Sequence, residues 1–452
     1  MSELQLTTLT LPAADLGMEN PLAPLAPPGD AHAQMRFGDG IPDEIRRQAG
    51  YGRHRGCLPY RVQDGYNRDR KSRALRVAVL QNGHLRATFL LDYGGRMASL
   101  VHLPSGRELL AANPVFQPAN LAIRNAWFSG GVEWNIGVIG HSPFTCAPLH
   151  AERLTAPGGM PVLRLREWER IRQTPFQLDI WLPDQSPFLC VRVTIRNPHD
   201  REVPMYWWSN IAVPETPGGR VLVPAGHAFR FDYTGIMDRI PVPHWKGMDI
   251  SYPQQIDRSA DFFFDLAEGQ RPWIAALDAD GRGLVQTSTP RLRGRKLFVW
   301  GMAPGGRRWQ TFLAEPGQAY AEIQAGLART QMECIPMPAR AVWHWTEAYG
   351  LMALPPDEIH GVEWEKAWRR VDRQLDATLP VAEMERHAAV GDTLAALPAA
   401  TRLHTGSGWG GLDVRRRRRT TELGGMFADA FAADPLGPDQ TPWLQLLEEG
   451  TF

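Results

Sequence analysis

The densest collection of side chains able to move protons lies in RNAWFSGGVEWNIGVIGH, residues 124–141. Arg124, Trp127, Glu133, Trp134, Asn135 and His141 sit there around Gly130-Gly131 and Gly137. Glycines let a backbone approach a ligand closely, and tryptophan offers a flat face to the apolar side of a sugar ring. Glu133 and His141 are candidates for an acid and a base. The competing reading is an aromatic-rich hairpin in which Glu133 only caps backbone donors.

A second cluster begins at Tyr320 with YAEIQAGLARTQMECIPMPARAVWHWTEAYG. In a strand, Glu322 and Gln324 share a face; so do Gln331 and Glu333, and so do Trp343, Trp345 and Glu347. An unpaired buried carboxylate is costly. A row of Glu and Gln among small and apolar residues therefore marks either a solvated face or a polar cleft, where split pKa values suit acid–base work. MYWWSNIAVPE adds Tyr206, Trp207, Trp208 and Asn210; alternation sends half of these aromatics to the core and leaves the rest able to stack on sugar rings. Arg295, Lys296, Trp300 and Trp309 form a cationic–aromatic set whose alternative is cation–π surface packing.

Several signals point away from other chemistries. Gly94-Gly95-Arg96 is too short for a phosphate loop, and no GxxxxGK[ST] or GxGxxG unit follows a strand. The thirteen histidines form no ligand spacing, so no metal is expected, and no GxSxG elbow is present. No other cofactor is expected. Cys57, Cys146, Cys190 and Cys334 are too few and too scattered for a disulfide scaffold. With 49 basic and 49 acidic residues the chain is formally neutral, which argues against nucleic-acid and anionic-membrane partners. Arg415–Arg419 is then a solvated charge run. The N-terminus has no secretory pattern and no stretch is long enough to span a membrane, so a cytoplasmic protein is expected.

The elements that must position these residues are short strands. Glycine (43) and proline (38) make up about 18% of 452 residues, against roughly 12% on average. From about Arg76 to Trp345 the sequence alternates turn chemistry with runs such as Leu75–Leu80, Leu85–Leu91, Met97–His102, Val162–Glu169, Phe176–Leu182, Leu189–Arg196, Val203–Trp208, Trp309–Leu313, Tyr320–Ala328 and Ala339–Trp345. More than a dozen strands without long intervening helices predict a mainly β sandwich. Residues 1–50 read as an N-terminal β or extended segment with a proline-rich connector from Pro21 to Pro28. Residues 51–350 form the β domain and 351–452 a helical appendage, with helices expected from Pro356 to about Leu375 and over Val381–Leu397.

LRVAVLQNGHLRATFLLDYGGRMASLVHLPSGRELL resembles the opening of galactose mutarotase-like domains. AWFSGGVEWNIGVIGH, YWWSNIAVPET, LRGRKLFVWG and EIQAGLARTQMECIPMPARAVWHWTEAYG look like a narrower family, domain of unknown function 5107, over roughly residues 50–350. HTGSGWG and PLGPDQTPWLQLLEEG look like the sequence flanking that family's tetratricopeptide repeats, although almost no repeat array lies between them here. The resemblance implies a two-sheet supersandwich with a concave carbohydrate-binding face. In mutarotases a glutamate takes the anomeric hydroxyl proton while a histidine protonates the ring oxygen.

By role, His141 is the expected acid and Glu322 or Glu347 the expected base, with Glu133 and Glu333 as further catalytic candidates. Arg96, Arg124, Trp127, Trp134, Asn135, Trp208, Asn210, Lys296, Trp300, Gln324, Gln331 and Trp345 are the expected substrate contacts. The expectation is an enzyme acting at an anomeric centre, glycoside hydrolysis slightly ahead of epimerisation because the aromatic excess suits several subsites. A non-catalytic carbohydrate-binding or scaffold protein is the alternative.

Overall fold

The computed structural model describes residues 1–22, 35–54, 56–398, 401–419 and 430–451. Most of the proline-rich connector, residues 23–34, lies outside them.

Two large, almost wholly antiparallel sheets carry the chain. The thirteen-stranded sheet runs from Glu3–Ala13 through Lys71–Gln81, Leu85–Leu90 and Arg96–His102 to Val132–Ile136, Trp207–Pro214 and Tyr320–Gly326. It continues through Gly294–Val299, Ala260–Leu266, Ala225–Phe231 and Ile236–Pro241. The nine-stranded sheet is centred on Val342–Ala353, Phe188–Arg196, Thr174–Trp181 and Pro161–Glu169.

Strand alternation decides what each face does. Ile136, Trp207, Ile211, Leu297 and Ile323 of the large sheet and Leu165, Leu178, Val191, Val193 and Trp345 of the second sheet are buried in one common core. Each buried methylene there contributes about 0.8 kcal/mol. Their sequence neighbours necessarily point the other way, so the large sheet has a second face on which polar residues can collect.

The outward face of the nine-stranded sheet is covered by the C-terminal part of the chain. Helix Trp364–Thr378 buries Trp364, Ala367, Val371 and Leu375, one stripe at helical spacing. Helix Val381–Ala395 packs on strands Phe188–Arg196 and Val342–Ala353. Thr401–His404 then adds a strand beside His150–Thr155. At the other end of the chain, Glu3–Ala13 pairs along its full length with Lys71–Gln81, so the N-terminal segment belongs to the large sheet.

Three expectations are corrected. Trp309–Leu313 is not a strand but the end of helix Pro304–Leu313, started by a proline in the first turn and burying Gln310 and Leu313 three residues apart. Val203–Trp208 is broken: Val203–Met205 pairs with Ile335–Met337, whereas Trp207 opens a strand of the large sheet. The strand expected from Ala339 begins at Val342, because Arg340 turns the chain with φ 59°.

Candidate active site

The second face of the large sheet gathers the chemistry-bearing side chains in two rows. Glu133 lies opposite Asn210, Asn210 opposite Gln324, Gln324 opposite Lys296, and Lys296 opposite Phe263. One step along, Ala212 lies opposite Glu322, Glu322 opposite Phe298, and Phe298 opposite Asp261. Residues directly opposite in an antiparallel pair share a face.

Glu133 is held from three sides. Trp127 Nε1–H donates to its Oε2 at 2.9 Å, and His141 Nδ1 meets the same oxygen at 2.8 Å. Arg96 Nη2 lies 3.5 Å from Oε1. Burial alone would raise the Glu133 pKa, but His141 and Arg96 hold it down at about 2. Arg96 is itself fixed, donating to Gly130 O at 3.0 Å and Thr145 Oγ1 at 2.7 Å. That contact requires a tight turn: Gly131 has φ 69°, and a Cβ there would lie 2.4 Å from Met97 O.

His141 sits on the loop after Val132–Ile136. Asn135 Oδ1 accepts the backbone N–H of Ser142 at 2.7 Å, and Tyr206 OH accepts that of Gly140 at 3.2 Å, so the residues on both sides of His141 are anchored. Its ring lies against Trp127, centroids 4.6 Å apart. With Nδ1 committed to Glu133, Nε2 is the nitrogen that can meet a ligand, and the side chain is 23% exposed.

Glu322 is buried, and burial raises its pKa although His141 and Lys296 oppose the shift. Gln324 Nε2 donates to its Oε2 at 3.0 Å. Gln331 Nε2 donates to Gln324 Oε1 at 2.5 Å, and Lys296 donates to Gln331 Oε1. Asp261, absent from the expected set, pairs with Lys296 Nζ at 2.7 Å. Its signal was an acid at strand period among the phenylalanines of ADFFFDL, a segment that also carries Asp265. Asn210 Oδ1 is buried and accepts no hydrogen bond from the described residues.

Thus Arg96, Trp127, Glu133, Asn135, His141, Asn210, Lys296, Glu322, Gln324 and Gln331 come together. Trp208 is on the same face but fully buried, packed on Phe263 and backed by Gly326, where a Cβ would sit 2.2 Å from its ring.

The remaining expected residues are elsewhere. Glu347 lies in the core between the sheets, where Ser209, Gln286, Trp345 and Tyr349 all donate to it, at 2.8, 2.9, 3.1 and 2.7 Å. It is on the opposite side of the large sheet from Glu133. Trp345 packs there against Trp207, and Trp134 also points into that core. Glu333 does not share a face with Gln331, because residues 327–332 turn; its Oε2 accepts from Thr330 N and Oγ1. Arg124 ties loops together through Arg61 O, Pro143 O and Glu19. Trp300 stacks on Trp309 in a cluster with Tyr320. The five consecutive arginines run along helix Trp409–Arg418 and its C-cap, with Arg416 and Arg417 paired to Asp413.

A solved structure shares this fold. A TPR-domain containing protein from Parabacteroides distasonis ATCC 8503 aligns with TM-score 0.63 and 21% identity over 80% of this chain. This chain spans only 57% of the length of that one. A galactose mutarotase-like protein from Clostridium acetobutylicum aligns with TM-score 0.46 and 10% identity, over 62% of this chain and 96% of its own. Another from Lactobacillus casei ATCC 334 aligns with TM-score 0.43 and 8% identity, over 61% and 100%. A family model described as Domain of unknown function (DUF5107) matches residues 53–338, a span that holds every residue gathered on the polar face of the large sheet, and the chain belongs to that family.

Proposed function

We propose that this protein transfers protons at the anomeric centre of a sugar, with His141 as the acid and Glu322 as the base. The observation that carries the reading is the pairing of His141 Nδ1 with a carboxylate held ionised, Glu133, on the same sheet face as a second carboxyl whose pKa is raised. Glu133 fixes the His141 ring through Nδ1, which leaves Nε2 to deliver a proton to a ring oxygen. The second carboxylate, made less acidic by burial, is the stronger base of the two and accepts the anomeric hydroxyl proton. The C1–ring oxygen bond breaks as both protons move, the open aldehyde forms, and reclosure on either face returns each proton.

Epimerisation of a free sugar is favoured over glycoside hydrolysis. The case for a multi-subsite cleft rested on tryptophan platforms, and Trp134, Trp208, Trp300 and Trp345 are between 0% and 6% exposed. Packed rings of that kind stabilise the sheet and cannot stack on successive sugar units.

The test is to follow anomeric proton signals of a panel of free aldoses and of α- and β-linked oligosaccharides by NMR. Accelerated interconversion is expected, reduced by about 10²–10⁴-fold in Glu322→Gln and in His141→Asn. New reducing ends would make the protein a hydrolase instead. Line broadening without turnover, unchanged in both variants, would make it a sugar-binding protein.

A further inference from the structure

We infer that Lys296, Gln331 and Gln324 form a one-way hydrogen-bonded line that orients the Glu322 carboxylate and assigns proton acceptance to its Oε1. The inference rests on the reading of Glu322 as the base.

The direction of the line follows from one residue. An ammonium has three donors and no acceptor. The Gln331 amide atom facing Lys296 Nζ must therefore be its oxygen. The NH2 group of Gln331 is then the end that faces Gln324, at 2.5 Å, so the Gln324 atom receiving it must again be oxygen. That leaves the NH2 group of Gln324 against Glu322 Oε2, at 3.0 Å. Neither amide can turn over without setting N–H against N–H at a buried contact, an unmade hydrogen bond of the costly kind. Oε2 is thus held as an acceptor, and Oε1 is the oxygen left to take a proton.

The start of the line is as firmly placed as its end. Asp261 pairs with Lys296 Nζ at 2.7 Å, and the ammonium lies 5.4 Å from the Phe263 ring centre and 5.5 Å from that of Phe298. Lys296 and Gln324 are opposite each other across adjacent strands, yet it is Gln331, on the turn after Tyr320–Gly326, that links them. A turn residue therefore controls a strand carboxylate that it does not touch. The charged and titratable groups acting on Glu322 and its surroundings are His141, Lys296, Glu133 and Asp261, with Arg96 and Tyr320 beyond them. Gln331→Met changes none of these charges, so it isolates the line from simple charge effects. The three residues are positioning residues: they act through Glu322.

The experiment titrates the Glu322 carboxyl carbon by NMR in labelled protein, assigned by its loss in Glu322→Gln. In Gln331→Met the midpoint is expected to rise by about half to one pH unit. Gln331→Glu, which offers Gln324 an acceptor where a donor is needed, is expected to raise it further. Lys296→Arg keeps a donor at the start and is expected to hold the midpoint near wild type. In wild-type protein, which needs no substitution, the side-chain NH2 signals of both Gln324 and Gln331 are expected to move with the Glu322 midpoint. A flat Gln331 signal, or an unmoved midpoint in folded Gln331→Met, overturns the inference. None of these readouts needs turnover. Failure of the enzymatic reading would appear as no interconversion in wild type with the titrations as expected, whereas failure of the line would appear as an unmoved Glu322 midpoint in folded Gln331→Met, whatever the rate of interconversion.

Discussion

Glu133 and Glu322 share one sheet face and burial raises the pKa of both, yet their net shifts are opposite, because only at Glu133 do the neighbouring cations outweigh burial. Glu133 has His141 and Arg96 beside it and is held at about 2, below its ordinary 4.5. A depressed carboxylate stabilises the fold above its unfolded pKa and loses that contribution as pH falls through the folded one. The wild type's pH-dependent advantage over Glu133→Gln, roughly 3 kcal/mol, is therefore expected to be complete above about pH 4.5 and to vanish near pH 2. Urea unfolding of both proteins across that range measures it, and a difference flat with pH would mean Glu133 is not the ionised partner. Glu322 has the opposite sign: its raised pKa favours the fold below pH 4.5 and disfavours it as pH rises through the folded value. Glu322→Gln should accordingly gain on wild type as pH rises from about 4.5 through the folded value, and hold that gain above it.

The element most dependent on charge is the C-terminal segment on the outward face of the nine-stranded sheet. Arg166 is fully buried and bridges two acids: its Nη2 donates to Glu152 Oε1 at 2.7 Å and to Asp434 Oδ1 at 2.8 Å. Arg402 also reaches Asp434, at 2.9 Å. Next to this pair, Glu167 accepts Ser407 N–H at 2.7 Å and Ser407 Oγ–H at 2.9 Å, while His150 Nε2 donates to Ser407 O at 2.8 Å. Removing one partner of a buried pair costs about 3–5 kcal/mol, because the other charge stays buried without compensation. Arg166→Met is expected to lose about 3 kcal/mol, the lower end, since Arg402 remains. Chemical denaturation gives the magnitude. Limited proteolysis gives the location, and first cleavage inside the β domain rather than beyond residue 398 would contradict it.

At the scale of the whole molecule, two sheets present four faces: two make the common core, one is covered by C-terminal helices and one carries the polar rows. The covering is apolar and specific. Ala367, Val371, Leu375 and Met384 are buried in the same core cluster as the sheets. A chain ending at Ala353 would expose that surface and the apolar part of strands Val342–Ala353 and Phe188–Arg196. It is expected to be recovered from expression mainly as aggregate, assayed by the soluble fraction beside the full chain. A soluble, monomeric truncation with native unfolding behaviour would show that the helices add nothing to the fold.

Much of this architecture was legible in the residues. Period-two alternation in Val162–Glu169 or Tyr320–Ala328, bounded by Gly, Pro and Asn turns, determined short antiparallel strands. The stripe Trp364, Ala367, Val371, Leu375 determined a helix, because both signals are local. The aromatic and carboxyl clusters marked which segments carry chemistry. They could not say which members meet: Glu322 and Glu347 read alike, as acids at strand period beside aromatics. Only the stacking of the two sheets turned one outward to the polar rows and enclosed the other among four hydrogen-bond donors. Strand order likewise brought Asp261 to Lys296, and turn geometry swung Gln331 into line while sending Glu333 elsewhere. Periodicity is set by the backbone within one strand and can be read from it. Which face is enclosed depends on partners more than a hundred residues away, and that is settled only when the sheets close on each other.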